Sequence, residues 1–191
     1  MIRRIFLGAA LATGLSFGAL AQDADNILVI EIDGKASGTV ELELLPEIAP
    51  QHVERIKALA RAGAYDDVAF HRVIEGFMAQ TGDVEHGKRD AFASGRAGTG
   101  GSDMDDLPAE FSDVPFDKGV VGMARAQNPN SANSQFFIMF DEGHFLNGQY
   151  TVVGKVLSGQ DVVDAITRGV GQGGTVAEPD YMTSVTIKGD E

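Results

Sequence analysis

The run of residues 70–83 places one arginine among apolar and amide side chains. Side chains on a pleated strand alternate between its two faces, so Phe70 and Arg72 are expected to share one face. After a turn, Met78 and Gln80 are expected to share a face as well. A guanidinium beside Phe, Met and Gln is unusual in a protein core and well suited to holding a carbonyl group. The run therefore indicates a candidate site that works through hydrogen bonding and apolar contact.

The other residue types that commonly carry chemistry do not form a recognisable site. The four histidines show neither helical pairing with a glutamate nor zinc-type spacing. One of them, His71, falls opposite Arg72 in the strand alternation, which favours a structural role. The glycine-rich run 98–101 lacks the lysine of a phosphate-binding loop, and the aspartates in 103–106 lack the glycine and glutamate of a calcium loop. No serine lies in a nucleophile elbow, so the sequence predicts neither a metal nor a covalent nucleophile.

Hydrophobic periodicity predicts the elements that must position the run. Helical spacing, with Pro50 near the first turn, predicts an amphipathic helix over residues 46–63 and a shorter helix over 161–167. Alternation predicts further strands over residues 26–32, 40–44, 119–126, 135–140, 151–157 and 182–188. Residues 84–106 are polar and glycine-rich, which predicts an exposed loop. Many short strands with two helices indicate a mainly β fold, either a barrel or a sandwich.

Two of these strands carry patterns that bear on a site. Gly122, Ala124 and Ala126 alternate along one strand. Such a row of small residues either allows close packing of a neighbouring element or forms the floor beneath a ligand. Both faces of residues 135–140 are apolar, which predicts a central strand.

The first 21 residues have the features of a secretory signal peptide. Arg3 and Arg4 precede the apolar run 5–20, and the small-x-small site of residues 19–21 follows. An uncleaved membrane anchor is the weaker alternative, because the apolar run is short for a membrane span. We therefore expect cleavage after Ala21, a single mature domain over residues 22–191 and a periplasmic location.

The charge and composition exclude several classes of partner. Removing the two arginines of the signal segment takes the formal net charge from −13 to −15. A chain this acidic repels phosphate backbones, so neither nucleic acid nor, after cleavage, an anionic membrane is an expected partner. The chain has no cysteine, so its stability must come from an ordinary core. Nothing indicates an obligate interface, and a monomer is expected.

At these residues the chain resembles the cyclophilin family of peptidyl-prolyl cis-trans isomerases. The resemblance extends from about residue 26 to about residue 188. Its most specific parts are the run 70–83 and the Asn-Ser-Gln-Phe-Phe-Ile run at 133–138. Three shorter matches follow the family order, at 98–101, 122–124 and 153–156.

The resemblance implies a closed eight-stranded antiparallel β-barrel capped by two helices, with no cofactor and no metal. It also implies that an extended prolyl peptide binds across the outside of the barrel. The expected activity is acceleration of X-Pro isomerisation during the folding of exported proteins. The expected partners are proline-containing peptides and unfolded or folding chains.

The resemblance also assigns roles to individual residues. Arg72 matches the catalytic arginine of the family. The residues that match the proline pocket are Phe77, Met78, Phe137 and Leu146, and those that match the groove are Gln80, Ala124, Arg125 and Gln135. Phe145 and Tyr150 stand where the best-known eukaryotic members have tryptophan and histidine, as in the bacterial exported branch. The missing indole N–H donor argues against tight cyclosporin binding.

Several alternatives remain open from the residues alone. For Phe77, Phe137 and Leu146 the alternative is simple core packing, which is the commoner fate of such residues. For Gln80 and Gln135 it is hydrogen bonding to each other or to backbone groups. The same groove would also suit a periplasmic chaperone that holds unfolded chains. A barrel with an apolar ligand inside is disfavoured, because the inward faces are filled by large apolar side chains.

Overall fold

The computed structural model describes residues 23–190, and this part of the chain contains nine strands and two α-helices. The strands are β1 (Ile27–Asp33), β2 (Gly38–Leu44), β3 (Val68–Ala69), β4 (Arg72–Ile74), β5 (Met78–Thr81), β6 (Val120–Met123), β7 (Phe136–Met139), β8 (Val152–Ser158) and β9 (Tyr181–Ile187). The helices are α1 (Pro50–Arg61) and α2 (Gln160–Ala165). The prediction of a mainly β fold with two helices is confirmed. The predicted signal segment, residues 1–21, lies outside the described residues and stays a prediction.

All nine strands belong to one antiparallel sheet, in the order β3-β9-β1-β2-β8-β6-β7-β5-β4. The expected closed barrel of eight strands is therefore wrong in strand number and in closure. The edge strands β3 and β4 follow each other in the chain, separated by Phe70 and His71. These two residues bond to the segment before β9: the Phe70 N–H donates to the Asp180 carbonyl at 2.9 Å, and the Val176 N–H donates to the His71 carbonyl at 3.2 Å. The sheet is thus a curled half-barrel whose edges are joined by a two-residue corner.

Both helices are shorter than predicted: α1 lies inside its predicted range, and α2 begins one residue before its predicted range, at Gln160. Helix α1 begins at Pro50, whose fixed φ suits a first turn, rather than at residue 46. It ends before Gly63, which has a φ of +64°, in the left-handed region that stops a helix. Helix α2 ends at Ala165 because Ile166 already has extended backbone angles. Within residues 23–190, no helix is long and apolar enough to cross a membrane.

The strands in the middle of the sheet bury both faces. The main core cluster takes Phe136 and Ile138 from β7. A second, smaller cluster takes Phe137 and Met139 from the same strand. All four residues of β7 are buried, and β7 lies between β5 and β6. The prediction of a central strand with two apolar faces is confirmed. The second cluster forms an apolar layer on the face of the sheet opposite the main core.

Phe70 departs from the expected alternation. It is fully buried in the main core cluster together with Val73, whereas Arg72 is only half-buried. Strict alternation would place Phe70 beside Arg72, and this prediction is wrong. The reason is that β4 begins only at Arg72, so the corner of residues 70–71 does not keep the pleat of the strand.

The loop of residues 84–106 is mostly exposed, as predicted, but a buried aspartate ties its start to its glycine-rich run. One carboxylate oxygen of Asp83 accepts the backbone N–H groups of Glu85 at 3.1 Å and His86 at 2.8 Å. The other oxygen accepts those of Gly98 at 2.7 Å and Gly100 at 3.0 Å. Asp83 itself is fully buried. This clasp fixes the start of the glycine-rich run relative to the end of β5.

Candidate active site

A cavity of about 280 Å³ opens over the second core cluster. Its lining consists of Arg72, Phe77, Met78, Gln80, Ala124, Arg125, Phe137, Phe145, Leu146 and Tyr150. Ten of the eleven predicted site residues therefore surround one space, although they come from five separate segments of the chain. The eleventh, Gln135, lies in a neighbouring cavity that shares three of these residues.

Arg72 is held at the edge of the cavity by two different segments. In the β4–β5 hairpin it pairs with Gln80, and its Nη1 donates to Gln80 Oε1 at 3.1 Å. Its Nε donates to the carbonyl of Gly173 at 3.1 Å. The Sδ of Met78 lies 3.9 Å from Nη1. Among residues 23–190, no hydrogen-bond partner is assigned to Nη2, so this nitrogen has donors left for a bound molecule.

A chain of amides continues from Arg72 away from the cavity. Gln80 Nε2 donates to Gln135 Oε1 at 2.9 Å, and Gln135 Nε2 donates to the carbonyl of Gly100 at 2.8 Å. Mutual bonding of the two glutamines, one of the open alternatives, is therefore present. Because Gln80 also accepts from Arg72, the same network orients the guanidinium.

Aromatic contacts fix the apolar wall of the cavity. Phe137 is almost fully buried, stacked on Phe116 with ring centroids 5.7 Å apart and edge-on to Tyr150 at 5.9 Å. The ring centroids of Phe77 and Phe145 are 5.4 Å apart. Phe145 is 65% exposed and forms the outer rim of the cavity. Phe137 thus belongs to the core and lines the cavity at once, so packing and site lining are not exclusive here.

The row of small residues serves both purposes that the pattern allowed. A Cβ on Gly122 would lie 2.5 Å from Phe137 Cζ and 2.6 Å from Phe116 Cε1, so this position is needed for close packing. Ala124, in contrast, lines both cavities and forms the floor between them. Its backbone N–H donates to the Gln135 carbonyl at 2.9 Å.

We expect Gly122→Ala to weaken substrate binding through Phe137. The added methyl must displace Phe137 or Phe116, which costs about 1–3 kcal/mol of stability as an overpacked core substitution. Movement of Phe137 into the cavity should raise KM about tenfold, the usual effect of one methylene in an apolar pocket. Steady-state kinetics and thermal unfolding would measure both effects. Adding Phe116→Leu should restore KM by freeing space behind the ring, and failure of this rescue would contradict the assignment.

Arg125 lies at the rim of the cavity, where its guanidinium contacts backbone carbonyls and an aromatic ring. Its guanidinium carbon lies 4.3 Å from the centre of the Tyr150 ring. Its Nη2 donates to the Gln149 carbonyl at 2.9 Å, and its Nη1 to the Ala126 carbonyl at 2.9 Å. Since these contacts use most of its donors, Arg125 acts here as a scaffold for the Tyr150 ring and a positive charge beside the cavity.

The neighbouring cavity, of about 470 Å³, extends the site into a groove. The residues that it adds are polar or small, namely Gly98, Thr99, Gly100, Gly101, Ser102, Asp106, Ala126, Ser131, Asn133, Ser134 and Gln135. The sequence pattern predicted an exposed loop over residues 98–101 and did not indicate that this run lines the groove. The one sequence feature that pointed to this groove was the Asn-Ser-Gln-Phe-Phe-Ile run, whose first residue, Asn133, lines it. Nothing in the local sequence pointed to Gly173 or Phe116.

His71 lines neither cavity, although it lies directly behind Gly98, which lines the larger one. It is buried beneath Gly98, and burial lowers its pKa, so the ring is neutral at pH 7. Within residues 23–190, no group of three histidine, aspartate or glutamate side chains is placed to hold a metal ion. What the groove offers is an arginine donor, an amide network and an apolar pocket on one continuous surface.

Comparison with known proteins identifies this arrangement. The family model described as cyclophilin type peptidyl-prolyl cis-trans isomerase/CLD matches residues 27–187. A Brucella suis biovar 1 protein named probable peptidyl-prolyl cis-trans isomerase is 57% identical over 193 residues, covering 98% of this chain and 97% of that protein. A Brucella abortus protein of the same name is 56% identical over the same coverage.

Two solved structures have the same fold. Cyclophilin AquaCyp293 from Hirschia baltica superposes with a TM-score of 0.73 at 31% identity, covering 88% of this chain and 76% of that one. A Cryptosporidium parvum cyclophilin type isomerase, crystallised in the presence of the dipeptide Ala-Pro, gives 0.72 at 24% identity, covering 84% and 98%. The second likeness concerns the fold alone. On the family match and the close Brucella relatives, this chain belongs to the cyclophilin-type peptidyl-prolyl cis-trans isomerases.

Proposed function

We propose that this isomerase twists X-Pro bonds without any proton transfer, with Arg72 as its catalytic residue. The observation that carries the proposal is the position of the guanidinium. It is anchored by Gln80 and Gly173, while Nη2 keeps its donors for a ligand beside Phe137 and Met78. Exchange NMR spectroscopy on a short Ala-Pro peptide, with the wild type and Arg72→Ala, tests it.

The chemistry of the imide bond explains why such a site suffices. Resonance gives the C–N bond partial double-bond character and a rotation barrier of about 18–20 kcal/mol. Uncatalysed isomerisation therefore takes on the order of tens to hundreds of seconds. In the twisted transition state the nitrogen becomes pyramidal and gains a lone pair, while the carbonyl loses charge. An apolar pocket favours this less polar state, and an arginine N–H directed at the new lone pair stabilises it further.

Arg72 alone does not supply enough stabilisation. A hydrogen bond to a charged group contributes about 1.5–3 kcal/mol, whereas a millionfold acceleration requires about 8 kcal/mol. The remainder is assigned to the apolar wall and to holding the chain on both sides of the rotating bond. The two adjoining cavities suit this task, since one takes a proline ring and the other a flanking stretch of extended peptide.

We further propose that the enzyme acts on exported proteins as a periplasmic monomer. The support is the signal-like segment of residues 1–21 and the strongly acidic mature chain. Cell fractionation of the full-length chain should yield a periplasmic form that begins at Gln22. Deletion of residues 2–21 should leave the protein in the cytoplasm. Recovery of an intact N terminus in the membrane fraction would contradict the proposal.

Holding of unfolded chains is the second candidate function. It is favoured by the length of the groove, because the two cavities together exceed what a proline ring needs. Arg72→Ala separates the two functions: a chaperone role that is independent of turnover would survive the substitution, measured as suppression of client aggregation. A ligand inside the half-barrel receives no support, because one continuous cluster of buried side chains fills that face.

A further inference from the structure

We propose that Gly174 is a positioning residue for catalysis. Because it has no side chain, the turn after α2 packs closely against β4, and the Gly173 carbonyl can then fix the orientation of the Arg72 guanidinium. The inference rests on the proposed role of Arg72. It adds a part of the chain, about 100 residues away in sequence, to the machinery of the reaction.

The turn pairs with β4 as an additional strand would. The Val73 N–H donates to the Gly174 carbonyl at 2.7 Å, and the Gly169 N–H donates to the Val73 carbonyl at 2.9 Å. Thr175 bridges to Arg72, and it also bridges to Val170 across the turn. The turn is therefore fixed to the backbone on both sides of the arginine.

Two anchors from different segments of the chain orient the guanidinium. Gly173 accepts from Nε at 3.1 Å, and Gln80 accepts from Nη1 at 3.1 Å. The guanidinium is planar and its N–H groups form a rigid fork, so two fixed nitrogens determine the direction of the third. Loss of the Gly173 anchor would let the fork rotate about the remaining bond. A misplacement of about 1 Å at a reacting centre is enough to cost about 100-fold in rate.

Only glycine fits where the turn meets β4. Gly174 has a φ of +68°, and a Cβ there would lie 2.4 Å from Ile74 Cγ1 and 2.8 Å from the Val73 carbonyl oxygen. A side chain at this position must push the turn away from β4, and the neighbouring carbonyl of Gly173 moves with it. Gly171, at the tip of the same turn, has a φ of +67° with nothing within 4 Å of its Cβ position. An alanine at Gly171 would have the same unfavourable positive φ as one at Gly174 but would not clash with β4.

This pair supplies a matched experiment. Gly174→Ala and Gly171→Ala are made in the wild type and in Arg72→Ala, and kcat and KM are measured by peptide exchange alongside thermal unfolding. We expect Gly174→Ala to lower kcat about tenfold with KM changed less than about twofold. Gly171→Ala should keep both constants and lose only the stability that a side chain at positive φ costs, which is less than the loss for Gly174→Ala. In the Arg72→Ala background, Gly174→Ala should have no further effect on kcat.

The outcomes are distinguishable. A tenfold loss in both backgrounds would show that Gly174 does not act through Arg72, and would overturn the inference. So would an unchanged kcat for Gly174→Ala, or an equal loss for Gly171→Ala. Wild-type activity of Arg72→Ala would instead overturn the proposed function. If Gly174→Ala does not fold, hydrogen exchange of the Arg72 Nε–H in the wild type decides: protection supports the anchor, and exchange as fast as in free arginine refutes it.

Discussion

Arg72→Ala should lower kcat/KM for an Ala-Pro peptide by about 10- to 150-fold. A hydrogen bond to a charged group contributes about 1.5–3 kcal/mol, and about 1.4 kcal/mol corresponds to a tenfold change in rate. Because this bond is made to a lone pair that exists only in the twisted state, the affinity for the ground-state peptide should fall no more than about threefold. Exchange NMR spectroscopy measures the rate, and a titration of the same peptide measures the affinity.

Two further variants sharpen this prediction. Arg72→Lys keeps the charge but loses the fork that Gln80 and Gly173 hold, so it should recover only part of the rate. Arg89→Ala removes a half-exposed arginine that stacks on Tyr181 outside both cavities, and it should leave the kinetics unchanged. Equal kcat/KM for Arg72→Ala and the wild type would remove Arg72 from the mechanism.

Asp83→Asn should destabilise the folded protein by about 3 kcal/mol or more. Each carboxylate oxygen accepts two backbone N–H groups, so an amide NH₂ in place of either oxygen faces two donors. A buried donor without an acceptor costs about 1–3 kcal/mol. Denaturant unfolding at pH 7 measures the loss. Asp103→Asn, an exposed aspartate of the same loop, is the matched control and should cost less than about 0.5 kcal/mol.

The contribution of Asp83 should also depend on pH. Burial raises its pKa, but the hydrogen bonds from His86, Gly100, Gly98 and Glu85 together outweigh burial and leave the pKa lowered. A lowered carboxyl pKa gives stability that is fully present above the ordinary aspartate value of about 3.9 and is lost as the pH falls through the folded-state value. The difference in unfolding free energy between wild type and Asp83→Asn should therefore be constant above about pH 5 and shrink below about pH 4. A difference that stays constant down to pH 2 would show that the charge is not involved.

The sequence predicted best those parts of the site that depend on strand alternation within one hairpin or one strand. The β4–β5 pairing brings Gln80 beside Arg72, as period-two spacing on either side of a turn requires. The same periodicity separated the two faces of β7 correctly, with Phe137 on the cavity side and Phe136 in the main core. The resemblance to cyclophilins supplied the rest of the lining, whose segments are far apart in the chain.

The parts that the sequence did not predict depend on where chain segments bend and on which distant backbone groups meet. Alternation failed at Phe70 because the strand starts two residues later. Arg72 donates to the backbone carbonyl of Gly173, and a contact with a backbone group cannot be predicted from the residue type. The open edges of the sheet were missed as well: the resemblance implied a closed barrel, whereas the edge strands β3 and β4 are connected only by a two-residue corner.

That corner, with the segments beside it, also has a consequence for the edges of the sheet. An open sheet edge presents unpaired N–H and C=O groups, on which an extended chain can add as a strand and seed aggregation. Here β3 carries a bridge to Lys88, and β4 is covered by the Gly173–Gly174 turn. An extended chain that approaches these edges therefore finds paired backbone groups instead of an open backbone template, which disfavours aggregation by strand addition.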